Sequence, residues 1–178
     1  MKKRDFIVII SILTTLIVVV GSIQAGNTQR HNTPSKSLQT TTLTYQFSQP
    51  LIQTSDTYAT IHLTEATGFR NIAGEPILPL VMKTIELPFG TLINDIKCTI
   101  TSQPQIPINQ KITPAVQPVP FLSDGLTIQP TENKQIYTNN QVFPDTWYSY
   151  RLTAGLNRQN IQTTFLTIQI NPVRYNPV

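Results

Sequence analysis

Apolar and polar positions alternate with a period of two through most of this chain. Leu43, Tyr45 and Phe47 alternate with Thr and Gln, and Tyr58 to Thr64 sets Ala59, Ile61 and Leu63 against polar neighbours. Leu92 to Thr101 puts Leu92, Ile96, Cys98 and Ile100 on one face and Asp95, Lys97 and Thr99 on the other. Trp147 to Thr153 is aromatic and β-branched, Ile161 to Ile170 alternates through Leu166, Ile168 and Ile170, and Leu80 to Leu87 is mostly apolar. Runs of this kind, bounded by Pro, Gly, Asn and Asp, are strand signals. No segment sustains a helical period and no internal repeat is visible. The pattern predicts an all-β domain over residues 41–178, an antiparallel β-sandwich or jelly-roll-like variant.

Two stretches depart from simple alternation. Asn71 to Gly90, "NIAGEPILPLVMKTIELPFG", holds three prolines and two glycines around an apolar strand. Pro76 and Pro79 fix φ and exclude helix before the strand. Gly74 and Gly90 permit backbone that other residues would strain, so at least one is expected at positive φ. Gln103 to Pro130 holds six of the fourteen prolines. Proline supplies no ladder donor, so the expectation here is an extended, polyproline-like excursion across the sandwich surface rather than central strands. Ile106, Ile108, Val116, Val119, Phe121 and Leu122 favour docking of that excursion over disorder.

The N-terminus carries a different pattern. Lys2-Lys3-Arg4 precedes the apolar run Phe6 to Val20, and small residues follow up to Ala25. This is the layout of a secretory signal peptide, residues 1–25, cleaved after Ala25. An uncleaved anchor is the alternative, because Phe6 to Ile23 nearly reaches the ~20 residues that span a bilayer. Either reading places the rest of the chain outside the cytoplasm, secreted or at the cell surface. Residues 26–40, rich in Asn, Thr, Gln and Ser, read as a flexible polar tail.

Composition narrows the chemistry. Of the 178 residues 39% are hydrophobic and only 12% charged, so the surface is covered mainly by uncharged polar groups. Lys2, Lys3, Arg4 and Asp5 carry +2 of the net +4, which leaves ten basic and eight acidic residues. No basic run interleaves with aromatics, and nucleic acid is excluded as a partner. Cys98 is the sole cysteine, so no intrachain disulfide forms. As a nucleophile it would need His31 or His62 as base. His31 lies in the polar tail and His62 faces away from the apolar side of its strand, while Cys98 reads as a small core residue. There is no metal-ligand spacing, phosphate loop or nucleophile elbow, and no cofactor is implied.

The proline and glycine positions carry a family resemblance. Gly74, Pro76, Leu78 and Pro79, then Leu87, Pro88 and Gly90, resemble the turn–strand–turn signature of the N-terminal propeptide of the gingipain-type cysteine peptidases. Tyr137, Phe143, Pro144 and Gly155, then Pro172, Tyr175, Asn176 and Pro177, resemble its downstream signature. The resemblance covers roughly Tyr45 to Val178. It implies a β-sandwich that covers the cleft of a caspase-like peptidase domain, keeps the zymogen latent, assists its folding and is removed by proteolysis. The implied partner is that catalytic domain, in cis in a longer product or in trans. Membrane contact is implied only for an uncleaved leader.

In an arginine-specific relative a basic prodomain side chain occupies the specificity pocket. The candidates by position here are Lys111 and Lys134, with Arg151 and Arg158 as others, and for any single one a solvated surface charge is the more ordinary reading. Relatives continue past the Tyr-Asn-Pro signature into another strand and then the peptidase. The resemblance thus implies a sandwich short of its last strand, with the catalytic Cys and His in a domain outside this sequence. Two other classes stand beside the prodomain reading. One is a surface adhesion or carbohydrate-binding sandwich using Trp147, Tyr148 and Tyr150, and the other is an active peptidase built on Cys98.

Overall fold

The computed structural model describes residues 6–10, 13–22, 37–118 and 129–177. Among these, the strands in chain order are β1 (Phe6–Ile10), β2 (Leu13–Ser22), β3 (Ser37–Gln46), β4 (Leu51–Thr54), β5 (Tyr58–His62), β6 (Gly68–Arg70) and β7 (Leu78–Pro88). They continue with β8 (Leu92–Ile100), β9 (Gln105–Ile108), β10 (Lys111–Ile112), β11 (Tyr148–Leu156), β12 (Gln162–Ile170) and β13 (Val173–Asn176). The one helical turn, α1, is Lys134–Tyr137. The all-β class read from alternation is what forms. Pairing is antiparallel throughout except for β10 on β5.

The largest sheet has the order β11-β12-β7-β6, with β3-β2-β8 as a second sheet. Their inner faces meet in a core of Phe47, Leu63, Val81, Ile96, Leu166, Ile168 and Ile170. The alternation of β12 explains its share: Leu166, Ile168 and Ile170 point to one side and are at most 1% exposed. A second core gathers Ile61, Leu78, Ile108, Ile112, Tyr137, Val173 and Tyr175 beneath the smaller sheets β10-β5-β4 and β13-β1-β9. β7 belongs to both, through Leu78 in one and Val81 in the other. Leu78, Pro79, Leu80 and Val81 are buried in succession, so the alternation breaks there. Truncating such a residue to Ala typically costs roughly 2–5 kcal/mol, because the packed interior does not collapse onto the void.

Several elements differ from the sequence expectation. In β8 the pairing with β2 slips, so that Val19 opposes Asp95 and Val20 opposes Ile93. The bulge turns Ile93 inward and leaves Leu92 51% exposed, opposite to the strict period-two reading. The proline-rich segment is not one polyproline excursion, since β9 and β10 lie within it. Both occupy outer positions in their sheets, where a proline such as Pro107 removes no needed donor. β3 begins at Ser37, inside the stretch read as a polar tail. The apolar run read as a leader is extended: β1 lies between β13 and β9, and β2 between β3 and β8. The expected cleavage position at Ala25, His31, and Val119, Phe121 and Leu122 lie outside the described residues. Among the described residues no helix is long and apolar enough to cross a membrane.

Two phenols sit in the second core. Tyr137 Oη donates to the Ile112 carbonyl at 2.7 Å, and its ring meets that of Tyr175 edge-on with centroids 6.2 Å apart. Burial pushes both hydroxyls well above the ordinary phenol value. The unfolded chain releases these protons as pH passes about 10, whereas the folded chain keeps them. Unfolding therefore releases protons, and stability present below that pH is lost as pH rises. Denaturant titrations between neutral pH and strongly alkaline pH should show this fall. Tyr137→Phe should make it shallower, while lowering neutral-pH stability by about 1 kcal/mol through the lost hydrogen bond. An unchanged alkaline slope in Tyr137→Phe would contradict the assignment.

Candidate functional site

The turn singled out by its prolines works as a clamp. Gly74 has φ of 81°, in the left-handed region that favours glycine. In that conformation its N–H donates to the Ala115 carbonyl at 2.8 Å, and its carbonyl accepts from the Asn133 N–H at 2.9 Å. One residue thus holds both ends of the segment from Ala115 to Asn133. The neighbouring backbone extends the grip. Ala115 N–H donates to the Glu75 carbonyl at 2.8 Å, and Ile77 N–H to the Thr113 carbonyl at 2.9 Å. Pro76 and Pro114 face each other across an isolated antiparallel bridge, and both are buried. A Cβ on Gly74 would meet the Thr131 carbonyl oxygen at 3.3 Å and the Asn133 nitrogen at 3.4 Å, both backbone atoms.

Arg70 ties this clamp to the downstream signature. Its Nε donates to Glu75 Oε2 at 2.8 Å, and its guanidinium lies 5.2 Å from the centroid of the Phe143 ring. Phe143 precedes Pro144 through a cis peptide bond and bridges Tyr175, with both N–H···O distances at 2.7 Å. Arg174 donates to the carbonyls of Pro144 and Asp145, and its guanidinium stands 4.7 Å over the Trp147 ring. Pro172 and Pro177 are buried at the two ends of β13, and Asn176 Nδ2 donates to Asn140 Oδ1 at 3.2 Å. The structure therefore brings Gly74, Pro76, Leu78 and Pro79 close to Pro144 and Tyr175. Leu87, Pro88 and Gly90 sit at the far end of β7. There Gly90, again at φ 81°, closes a turn in which Thr91 N–H and Oγ1 both donate to the Pro88 carbonyl. Gly155 is not in a turn. It lies within β11, where a Cβ would stand 3.4 Å from the Phe165 ring, and the hairpin turns at Asn157–Ile161 with Asn160 at φ 61°. Arg70 was missed in the sequence; its only signal was a lone cation five residues before Glu75.

The basic candidates divide into two kinds. Lys111 Nζ donates to Glu132 Oε2 at 2.5 Å and lies 5.7 Å over the Tyr137 ring. Tyr58 Oη donates to the other oxygen of Glu132, and burial together with that carboxylate pushes the Tyr58 hydroxyl up. Lys111 is thus bound into the stem. Lys134 is exposed on α1, directly after Asn133, whose Oδ1 caps the turn by accepting from the Gln135 N–H at 3.0 Å. Arg151 and Arg158 are exposed on β11 and its hairpin turn. Among the described residues none of these last three makes an ion pair.

Nucleophilic chemistry finds no support in the placement of Cys98. Its side chain packs against the first core and burial pushes the thiol up, away from the thiolate a nucleophile needs. His62 is exposed and meets Phe69 edge-on at 6.1 Å. The three aromatics of the adhesion reading line one cavity but differ in their engagement. Trp147 is faced by Arg174, and Tyr148 Oη donates to the Ile96 carbonyl at 2.6 Å, while Tyr150 is 50% exposed.

The described residues thus form an all-β domain of antiparallel sheets whose Gly74 turn clamps Ala115 and Asn133. The comparisons place it more narrowly. A family model described as Propeptide_C25 matches residues 28–178, and the chain belongs to that family, the propeptides of the gingipain-type cysteine peptidases. Among solved structures it is similar to one described as the complex of Porphyromonas gingivalis RgpB pro- and mature domains. The two share 15% identity over 75% of this chain and 68% of that one, with a TM-score of 0.47. A comparison with curated proteins finds no match.

The clamp separates the two glycines energetically. Gly90→Ala meets no atom within 4 Å and should cost about 1–2 kcal/mol, the left-handed backbone penalty alone. Gly74→Ala adds contact with the fixed backbone of Thr131 and Asn133 and should cost clearly more in the same denaturant titration. Equal costs would refute the clamp.

Proposed function

We propose that this chain is the latency and folding propeptide of a gingipain-type cysteine peptidase and works by binding, with catalysis residing in the domain it covers. The observation that carries the reading is the double grip of Gly74 on Ala115 and Asn133. The stem residues Ala115 and Asn133 are thereby fixed before a partner docks, so little conformational entropy is lost at the stem on binding. Glu75, Arg70 and Phe143 stiffen the same stem from behind. The Lys2-Lys3-Arg4 start, the apolar run and the small residues up to Ala25 support export, so the chain meets its peptidase outside the cytoplasm; cleavage after Ala25 would remove β1 and β2, the middle strands of their sheets.

Of the basic side chains, Lys134 is the one offered to an acidic specificity pocket. It is exposed at the exit of the stem, whereas Lys111 would first have to leave Glu132. Titrating the purified chain against a gingipain-type catalytic domain tests this. The chain should inhibit near equimolar levels. Lys134→Ala should weaken inhibition by about tenfold or more, mainly through faster dissociation, with an unchanged melting temperature. Lys111→Ala should instead lower the melting temperature, because Glu132 is left half-buried without its cation. A folded chain that fails to inhibit would overturn the proposal.

A further inference from the structure

β11 is the outermost strand of the largest sheet, and among the described residues nothing pairs with its free side. It runs nine consecutive register pairs with β12 and has neither proline nor bulge. Such an edge presents a row of unpaired backbone N–H and C=O groups and accepts another strand unless it is blunted. The face carrying Tyr150 and Leu152 continues the core face of β12, where their register partners Ile168 and Leu166 are fully buried. On β11 that face is uncovered: Tyr150 is 50%, Leu152 38% and Leu156 61% exposed. At its N-terminal end it opens on a cavity of about 610 Å³ lined by Cys98, Trp147, Tyr148 and Tyr150. The opposite face of the strand carries Arg151, and the adjoining turn carries Arg158.

We infer that β11 is a strand-addition site for an extended segment of the peptidase catalytic domain in which apolar and acidic residues alternate. This inference rests on the propeptide reading. Backbone groups of the added strand complete the sheet. Its apolar residues cover Tyr150 and Leu152, one large side chain fills the cavity beside Cys98, and its carboxylates face Arg151 and Arg158. Main-chain pairing supplies affinity and the alternate side chains supply specificity, the usual division in β-augmentation. Charge disfavours a second copy of this chain as occupant. Two β11 strands paired antiparallel about Leu152 would set the two Arg151 side chains on one face, roughly 7–8 Å apart on the diagonal, where like charges destabilise.

The test measures affinity of the purified chain for the catalytic domain that it inhibits, alongside Leu152→Lys and Arg151→Glu. A charge on the apolar face blunts strand addition, and the reversal at Arg151 opposes the acidic residues. Each variant should bind about tenfold or more weakly while retaining the wild-type melting temperature. Trp147 is the sole tryptophan, so 5-fluorotryptophan incorporation yields one ¹⁹F resonance at the cavity, which should shift on complex formation. Should Leu152→Lys fail to fold, Arg151→Glu at an exposed position decides alone. Wild-type affinity in the variants, or an unmoved resonance in a formed complex, overturns the inference and leaves the propeptide reading standing. Failure of the wild-type chain to bind overturns the propeptide reading itself. A wild-type dimer in sedimentation that Leu152→Lys disperses without loss of peptidase affinity overturns the inference in favour of self-association.

Discussion

Much of this structure depends on one residue in a conformation few others tolerate. With φ at 81°, Gly74 turns its N–H toward Ala115 and its carbonyl toward Asn133. Any Cβ there would press on the backbone of Thr131 and Asn133. The buried prolines that follow remove the remaining freedom: Pro76 bridges to Pro114, and Pro79 commits the chain to β7. The turns at the two ends of β7, the longest described strand, thus form a bracket, and its Gly74 end holds Ala115 and Asn133.

The bracket is effective because β7 is anchored in two places. Leu78 belongs to the core beneath the small sheets and Val81 to the core of the main sandwich, so any shift of the clamp would disturb both. Arg70 adds a polar tie by joining Glu75 to the Phe143–Pro144 corner, and the Phe143–Tyr175 bridge carries that tie into β13. Rigidity of this order suits a domain that acts by shape. The separation of the exposed Lys134 from the engaged Lys111 follows from the stem's geometry.

The sequence by itself determined the class of the fold. Alternation in Tyr58–His62, Leu92–Ile100 and Gln162–Ile170 is a local property, and a period of two admits only a half-buried strand. The glycine and proline signatures were legible for the same reason, since they constrain backbone whatever surrounds them. Cys98 could be assigned to the core from its strand face alone. What the tertiary structure decided is everything that depends on pairing. The bulge that turned Ile93 inward and Leu92 outward arises from register with β2, which no local period encodes. Pro107 became tolerable in β9 because β9 lies at the edge of its sheet. The grip of Gly74 on residues 41 and 59 positions further along the chain, the joining of both halves of the signature by Arg70, and the open edge of β11 are all long-range contacts. They follow from which strands become neighbours, and alternation along one strand carries no information about its partner.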